Sequence, residues 1–275
     1  MKRLFPILTA LLAGCASFHR TPKDVDVTRN IVFSKPDGRP LGLDLYVPRT
    51  EKPAPLIVWI HGGGWKIGSK GFRLLIKDLT RHGFAIASID YRLSTRAKWP
   101  AQHLDCLEAI EWLRKHGAEY HIDPSRMALS GDSAGGHLAA LIGLEQGEPR
   151  IRAVLALYPP TDLVALGEVF RDNPRNLIVQ LFGDSFENTK AVAAEASPVN
   201  HVGENAPAFL FIHGDKDDTV PLDQSFALDK LLRGNGTESR IIVMKGRGHA
   251  FSLNRQSLDE AQAFFTRTLF GAPTD

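Results

Sequence analysis

From residue 28 to 269 short apolar runs alternate with helical patterns, a rhythm that leaves few folds open. Residues 56–60 and 85–89 are continuous apolar runs, the pattern of strands covered on both faces. Further strands are expected at 127–130, 151–158, 208–212 and 240–244. Helices are expected at 71–82, 101–116, 134–144, 223–233 and 258–269, and Gly83, Gly117 and Gly234 sit where helix ends favour glycine. Ahead of these, residues 31–33 and 41–47 flank Pro36-Asp37-Gly38 and read as an antiparallel hairpin. Such alternation specifies an α/β fold, with a mostly parallel central sheet and helices on both faces.

The rhythm breaks once. Residues 160–206 carry helical patches but no apolar strand. A stretch that long between two strands is expected to be a small cap insertion over the carboxyl ends of the strands, where open α/β sheets bind ligands. No fixed-period repeat or internal linker marks a second domain, and 275 residues with 43% apolar content suffice for one large core. The formal charge of +2, with no basic run, argues against a nucleic-acid partner.

The N-terminus reads differently. Lys2 and Arg3 precede an apolar stretch of about ten residues, too short to span a bilayer but suited to a signal peptide. It ends in Leu12-Ala13-Gly14-Cys15, which looks like a bacterial lipobox. The expectation is a signal peptide over 1–14, lipidation of Cys15, a polar tether over 15–27 and a domain over 28–275. That places the protein in the bacterial cell envelope, lipid-anchored and facing the periplasm or outer membrane. Processing leaves Cys106 as the remaining thiol, so no internal disulfide is expected.

Gly131-Asp132-Ser133-Ala134-Gly135 fits G-x-S-x-G between an expected strand and an expected helix. That context is the nucleophile elbow, a tight turn holding the Ser133 hydroxyl at its tip. After the first buried strand comes His61-Gly62-Gly63-Gly64-Trp65. Its glycines let the backbone approach a reacting carbonyl, so the amides of Gly63, Gly64 and Ala134 are the expected oxyanion hole. His61 is expected to brace this loop, as is Asp90-Tyr91-Arg92 at the sheet edge. Trp65 and Tyr158 fit either a pocket wall or the core.

A serine nucleophile needs a base, and the base needs an orienting acid. His249 lies in a glycine-flanked loop after the strand at 240–244. The acid is expected in the preceding strand's loop, where Asp215, Asp217 and Asp218 all qualify. Calcium and zinc patterns are both missing from the sequence, so no metal or other cofactor is expected.

Together these motifs resemble the α/β-hydrolase fold, in its esterase/lipase branch with a His-Gly-Gly-Gly-Trp motif. Within that branch the chain is similar to bacterial feruloyl- and acetylxylan-esterase-type proteins. The resemblance spans roughly 28–269 and includes Asp90-Tyr91-Arg92-Leu93, Trp99-Pro100-Ala101-Gln102, Ile122-Asp123-Pro124-Ser125-Arg126 and Ser197-Pro198-Val199. It places the acid at the fifth position of His-Gly-x-x-Asp-x-x-Val-Pro, which implies Asp217. It also implies a serine esterase acting through Ser133, Asp217 and His249 on small-molecule or polysaccharide esters. An aryl-formamidase or aminopeptidase-like amide hydrolase would use the same triad, and a non-catalytic binding module would keep only the fold.

Overall fold

The computed structural model describes residues 23–71, 75–145, 151–171, 173 and 176–271. The expected signal peptide, Cys15 and most of the expected tether lie outside these residues. Eight strands form one sheet: β1 (Val25–Ser34), β2 (Leu41–Pro48), β3 (Ala54–Ile60), β4 (Ala85–Ile89), β5 (Ile122–Asp132), β6 (Ala153–Leu157), β7 (Ala208–Gly214) and β8 (Ser239–Met244). Their spatial order is β1-β2-β4-β3-β5-β6-β7-β8. The β1–β2 hairpin is antiparallel, as is β2 against β4, and every later pairing is parallel.

The central strands are buried along their whole lengths, which explains their unbroken apolar sequences. Alternate residues still part to opposite faces. Leu56, Val58 and Ile60 enter one core cluster, while Ile57 and Trp59 enter the other. The helices between the strands cover those faces: α1 (Ile76–Thr80), α2 (Ala101–His116), α3 (Ala134–Glu145), α7 (Asp223–Gly234) and α8 (Arg255–Phe265). Cys106 on α2 is fully buried, and burial pushes its thiol pKa well up.

Several boundaries differ from expectation. Residues 25–27, expected in a tether, belong instead to β1, which starts at Val25 and pairs Val25 with Pro48. Its mostly exposed edge position explains the polar sequence that hid it. Helix α1 is a short stretch, Ile76–Thr80, of the expected 71–82. Strand β5 extends back to Ile122 across Pro124, because a register shift between Pro55 and Leu56 accommodates the extra residues. The last helix starts at Arg255, capped by the Asn254 side chain, and closes in a π-helical turn over Thr266–Phe270.

Between β6 and β7 the insertion holds three short helices, α4 (Leu163–Val169), α5 (Leu177–Phe182) and α6 (Phe186–Glu195). Each begins at a side-chain cap, Asp162, Asn176 and Ser185 respectively. The insertion is tied to the main domain through α3, where His137 Nε2–H donates to the Ala196 carbonyl at 2.7 Å.

Candidate active site

In the sheet Ile60 pairs with Gly131, so the loops leaving β3 and β5 start side by side. Contact between them is close. A Cβ on Gly135 would fall 2.1 Å from the Ile60 carbonyl oxygen, so only glycine lets α3 begin against the end of β3. Ser133, between β5 and α3, has φ of 49°, the strained backbone of a nucleophile elbow. Its amide donates to the Leu157 carbonyl at 2.8 Å, and its carbonyl accepts from His137 at 3.0 Å.

Two loops from the far side of the sheet complete the constellation. After β8, His249 accepts from the Ser133 hydroxyl at Nε2, 2.9 Å away. Its Nδ1–H donates to Asp217 Oδ2 at 2.7 Å. Three segments separated by more than eighty and thirty residues in sequence thus meet in one hydrogen-bonded chain. The neighbouring acids do other work: Asp215 accepts from the Gly246 amide at 2.6 Å, stitching the acid loop to the histidine loop, while Asp218 is exposed. Geometry therefore selects Asp217 among the three candidates.

Asp217 is itself held from several sides. Its Oδ1 accepts from the Thr219 and Val220 amides at 3.0 and 2.8 Å. The fully buried His213 ring brings Nε2 to 3.3 Å from Oδ2. Burial works against the Asp217 charge, but the bonds from His213, His249 and Val220 outweigh it and hold the carboxyl well below its ordinary range. Asp217 therefore stays ionised, as an acid that orients an imidazole must. The Tyr158 ring packs edge-on to His249 at 4.8 Å and against Phe251 at 5.2 Å. With only 2% exposure, Tyr158 backs the His249 ring rather than lining open space.

The glycine loop lies on the opposite side of Ser133. Gly63 and Gly64 both have positive φ, and a Cβ on Gly63 would fall 2.2 Å from the Ile67 carbonyl oxygen. Neither Gly63 nor Gly64 donates its amide to a protein acceptor among the described residues. Ala134 contributes the first amide of α3, next to the nucleophile. His61 braces the loop as expected: its Nδ1–H donates to the Gly62 carbonyl at 2.7 Å, and its ring stacks on Tyr91 at 4.3 Å. Burial lowers the His61 pKa to about 4, so it is neutral. The Tyr91 hydroxyl donates to the His61 carbonyl at 3.0 Å, and Arg92 forms a bidentate pair with Asp105. Trp65 is packed in the core, donating from Nε1 to His137 Nδ1 at 3.3 Å.

Two residues escaped the sequence reading. Asp132, the variable position of G-x-S-x-G, accepts from the Gly62 amide at 2.9 Å and so joins the elbow to the glycine loop. Burial pushes its carboxyl up to about 6, only partly offset by that bond and by His249. The available signal was a carboxylate placed where the chain enters a close-packed turn. Leu177, at the start of α5, lies against Gly64, its Cδ1 2.9 Å from where a Cβ would be. No local pattern marks it, because its neighbour is 113 positions away in the sequence.

A family model described as BD-FAE matches residues 43–232, more than two thirds of the chain. The chain belongs to the BD-FAE family. Esterase LipC of Mycobacterium tuberculosis is 31% identical over 221 residues, 74% of this chain and 54% of LipC. Esterase LipQ of the same organism is 29% identical over 260 residues, 86% of this chain and 61% of LipQ. The chain thus spans a little over half the length of these curated relatives. Among solved structures, a truncated carbohydrate esterase from gut microbiota superposes with a TM-score of 0.76 at 27% identity, covering 91% of this chain and 99% of that one. A Thermogutta terrifontis esterase gives 0.70 at 26% identity, covering 92% and 97%. This BD-FAE chain has the α/β-hydrolase fold anticipated from its motifs.

Proposed function

We propose that the protein is a carboxylic ester hydrolase using Ser133 as nucleophile, His249 as general base and Asp217 as the orienting acid. The observation carrying this reading is the unbroken hydrogen-bond chain from the Ser133 hydroxyl through His249 to an ionised Asp217. In the reaction, Ser133 Oγ attacks the ester carbonyl carbon as its proton passes to His249 Nε2. Asp217 holds the opposite nitrogen's proton and stabilises the imidazolium that forms. The carbonyl oxygen, now an oxyanion, accepts from the amides of Gly63, Gly64 and Ala134. Donors so placed commonly contribute ~3–4 kcal/mol each to lowering the barrier.

Collapse of this intermediate breaks the bond to the alcohol oxygen, which takes the proton from His249 Nε2. Water, deprotonated by the same nitrogen, then attacks the acyl carbon; the bond to Ser133 Oγ breaks, Oγ takes the proton back from His249 Nε2, and the carboxylic acid leaves. Esterase relatives and a carbohydrate-esterase neighbour support this reaction class. The finer reading is an acyl ester of a polysaccharide, cleaved at the cell envelope by a protein anchored through lipidated Cys15. It is supported by the carbohydrate-esterase neighbour and by the basic, apolar, small-residue pattern before Cys15.

Ser133→Ala removes the attacking oxygen and little else. Turnover of p-nitrophenyl acetate by this variant should fall by at least a thousandfold, with an unchanged thermal melt. Retained turnover in a folded Ser133→Ala protein would refute the assignment.

A further inference from the structure

The tetrahedral carbon formed at Ser133 has four substituents, and three of their directions are already assigned by the proposed ester hydrolysis. One is Ser133 Oγ, the second is the oxyanion facing the Gly63 and Gly64 amides, and the third is the leaving alcohol oxygen. That oxygen must lie near His249 Nε2 to be protonated. The acyl chain takes the remaining direction, away from His249, and a chain that runs beside the oxyanion meets whatever flanks Gly64. Flanking Gly64 the structure places Leu177, whose methyl groups would lie 2.9 and 3.2 Å from a Cβ on that glycine.

Leu177 is 38% exposed, so its side chain lies beside Gly64 without being closed into the core. Its position is also held firmly. Asn176, just before it, is buried and caps α5 through Oδ1 to the Ile178 amide, while its Nδ2 donates to the Gly167 and Phe170 carbonyls. At the other end of the helix, Lys66 from the glycine loop donates to Gln180 Oε1 at 2.8 Å. The Lys66 bond thereby fastens helix α5 to the glycine loop, while Asn176 ties the start of α5 to the end of α4.

We infer that Leu177 is the specificity-determining wall of the acyl subsite, restricting the enzyme to short acyl groups of the acetyl class. The inference rests on the ester-hydrolase reading and assigns the chemistry of one half of its substrate. A two-carbon acyl group ends before the leucine, whereas a chain of eight carbons must displace it.

The test compares kcat/KM for p-nitrophenyl acetate, butyrate and octanoate in the full chain and in Leu177→Ala and Leu177→Phe. The wild-type protein should favour acetate over octanoate. In Leu177→Ala the octanoate-to-acetate ratio should rise about tenfold or more, the effect expected when several methylenes gain room. In Leu177→Phe the butyrate-to-acetate ratio should fall. Ratios unchanged in both variants, with melting temperatures intact, would overturn the assignment of Leu177 while leaving esterase activity standing. Failure of the wild-type protein to hydrolyse all three esters would instead overturn the ester-hydrolase reading itself.

Discussion

Asp132 carries a burial cost that its hydrogen bonds do not offset. Its carboxylate sits where burial raises the pKa from an ordinary 3.8 to about 6. The folded protein therefore holds this proton more tightly than the unfolded chain does. Stability drawn from the protonated form is present below about pH 4 and is lost as pH rises through about 6. Asp132→Asn keeps an oxygen to accept from Gly62 but removes the charge. At pH 8 the variant should be more stable than wild type by on the order of 1–3 kcal/mol, and at pH 4 the difference should vanish. Urea midpoints at pH 4, 6 and 8 measure this, and parallel pH curves for the two proteins would contradict it. Asp217 has the opposite sign: its lowered pKa adds stability above the ordinary carboxylate range, lost only in strong acid. Two carboxylates near one serine are thus separated in role by their partners. The motif G-x-S-x-G identified the serine but not Asp132, because the motif treats that position as free.

Helix α5 shows how an element too short to be stable alone becomes a fixed part of a site. Six residues cannot sustain a helix in water, so caps and packing must hold it. Asn176 adds one accepted and two donated hydrogen bonds to the packing of buried Ile178 and Leu181. Asn176→Ala removes the cap and leaves the buried Gly167 carbonyl and the half-buried Phe170 carbonyl without this donor. It should cost about 2 kcal/mol, read as a lower urea midpoint. An unchanged midpoint would mean that packing of Ile178 and Leu181 alone holds α5. Helical patches in 160–206 were visible in the sequence, but three separate helices and their caps were not. A polar cap residue reads locally like any loop residue until the helix behind it is known. Strand β1 runs well beyond the expected 31–33, because an edge strand lacks the apolar run that marks β3 and β4.

At the scale of the whole molecule, the catalytic chain closes because a parallel sheet places all its strand carboxyl ends on one side. Loops after β3, β5, β7 and β8 converge there, and the insertion after β6 adds α5 against the first of them. Attachment to a membrane would come from outside this fold. Among the described residues no helix is long and apolar enough to cross a bilayer. Removing Lys2 and Arg3 with the expected signal peptide leaves 31 charges of each sign, so binding should rest on lipid and resist high salt. When the full-length chain is expressed in a bacterium, it should partition with membranes through a 1 M salt wash, and Cys15→Ser should not. Equal fractionation of the two would rule out the lipid anchor.

The order of strands and helices, the elbow, the glycine loop and the loop carrying His249 are all legible in the sequence. Each is a local pattern set by periodicity or by backbone geometry that few residues tolerate. Among three neighbouring aspartates the choice of Asp217 needed family resemblance or the fold, since all three satisfy the same local chemistry. Only the tertiary structure decided that Asp132 bonds the glycine loop and that Leu177 stands over Gly64. Those contacts join residues 70 and 113 positions apart, and their energy depends on distances that no one-dimensional pattern encodes.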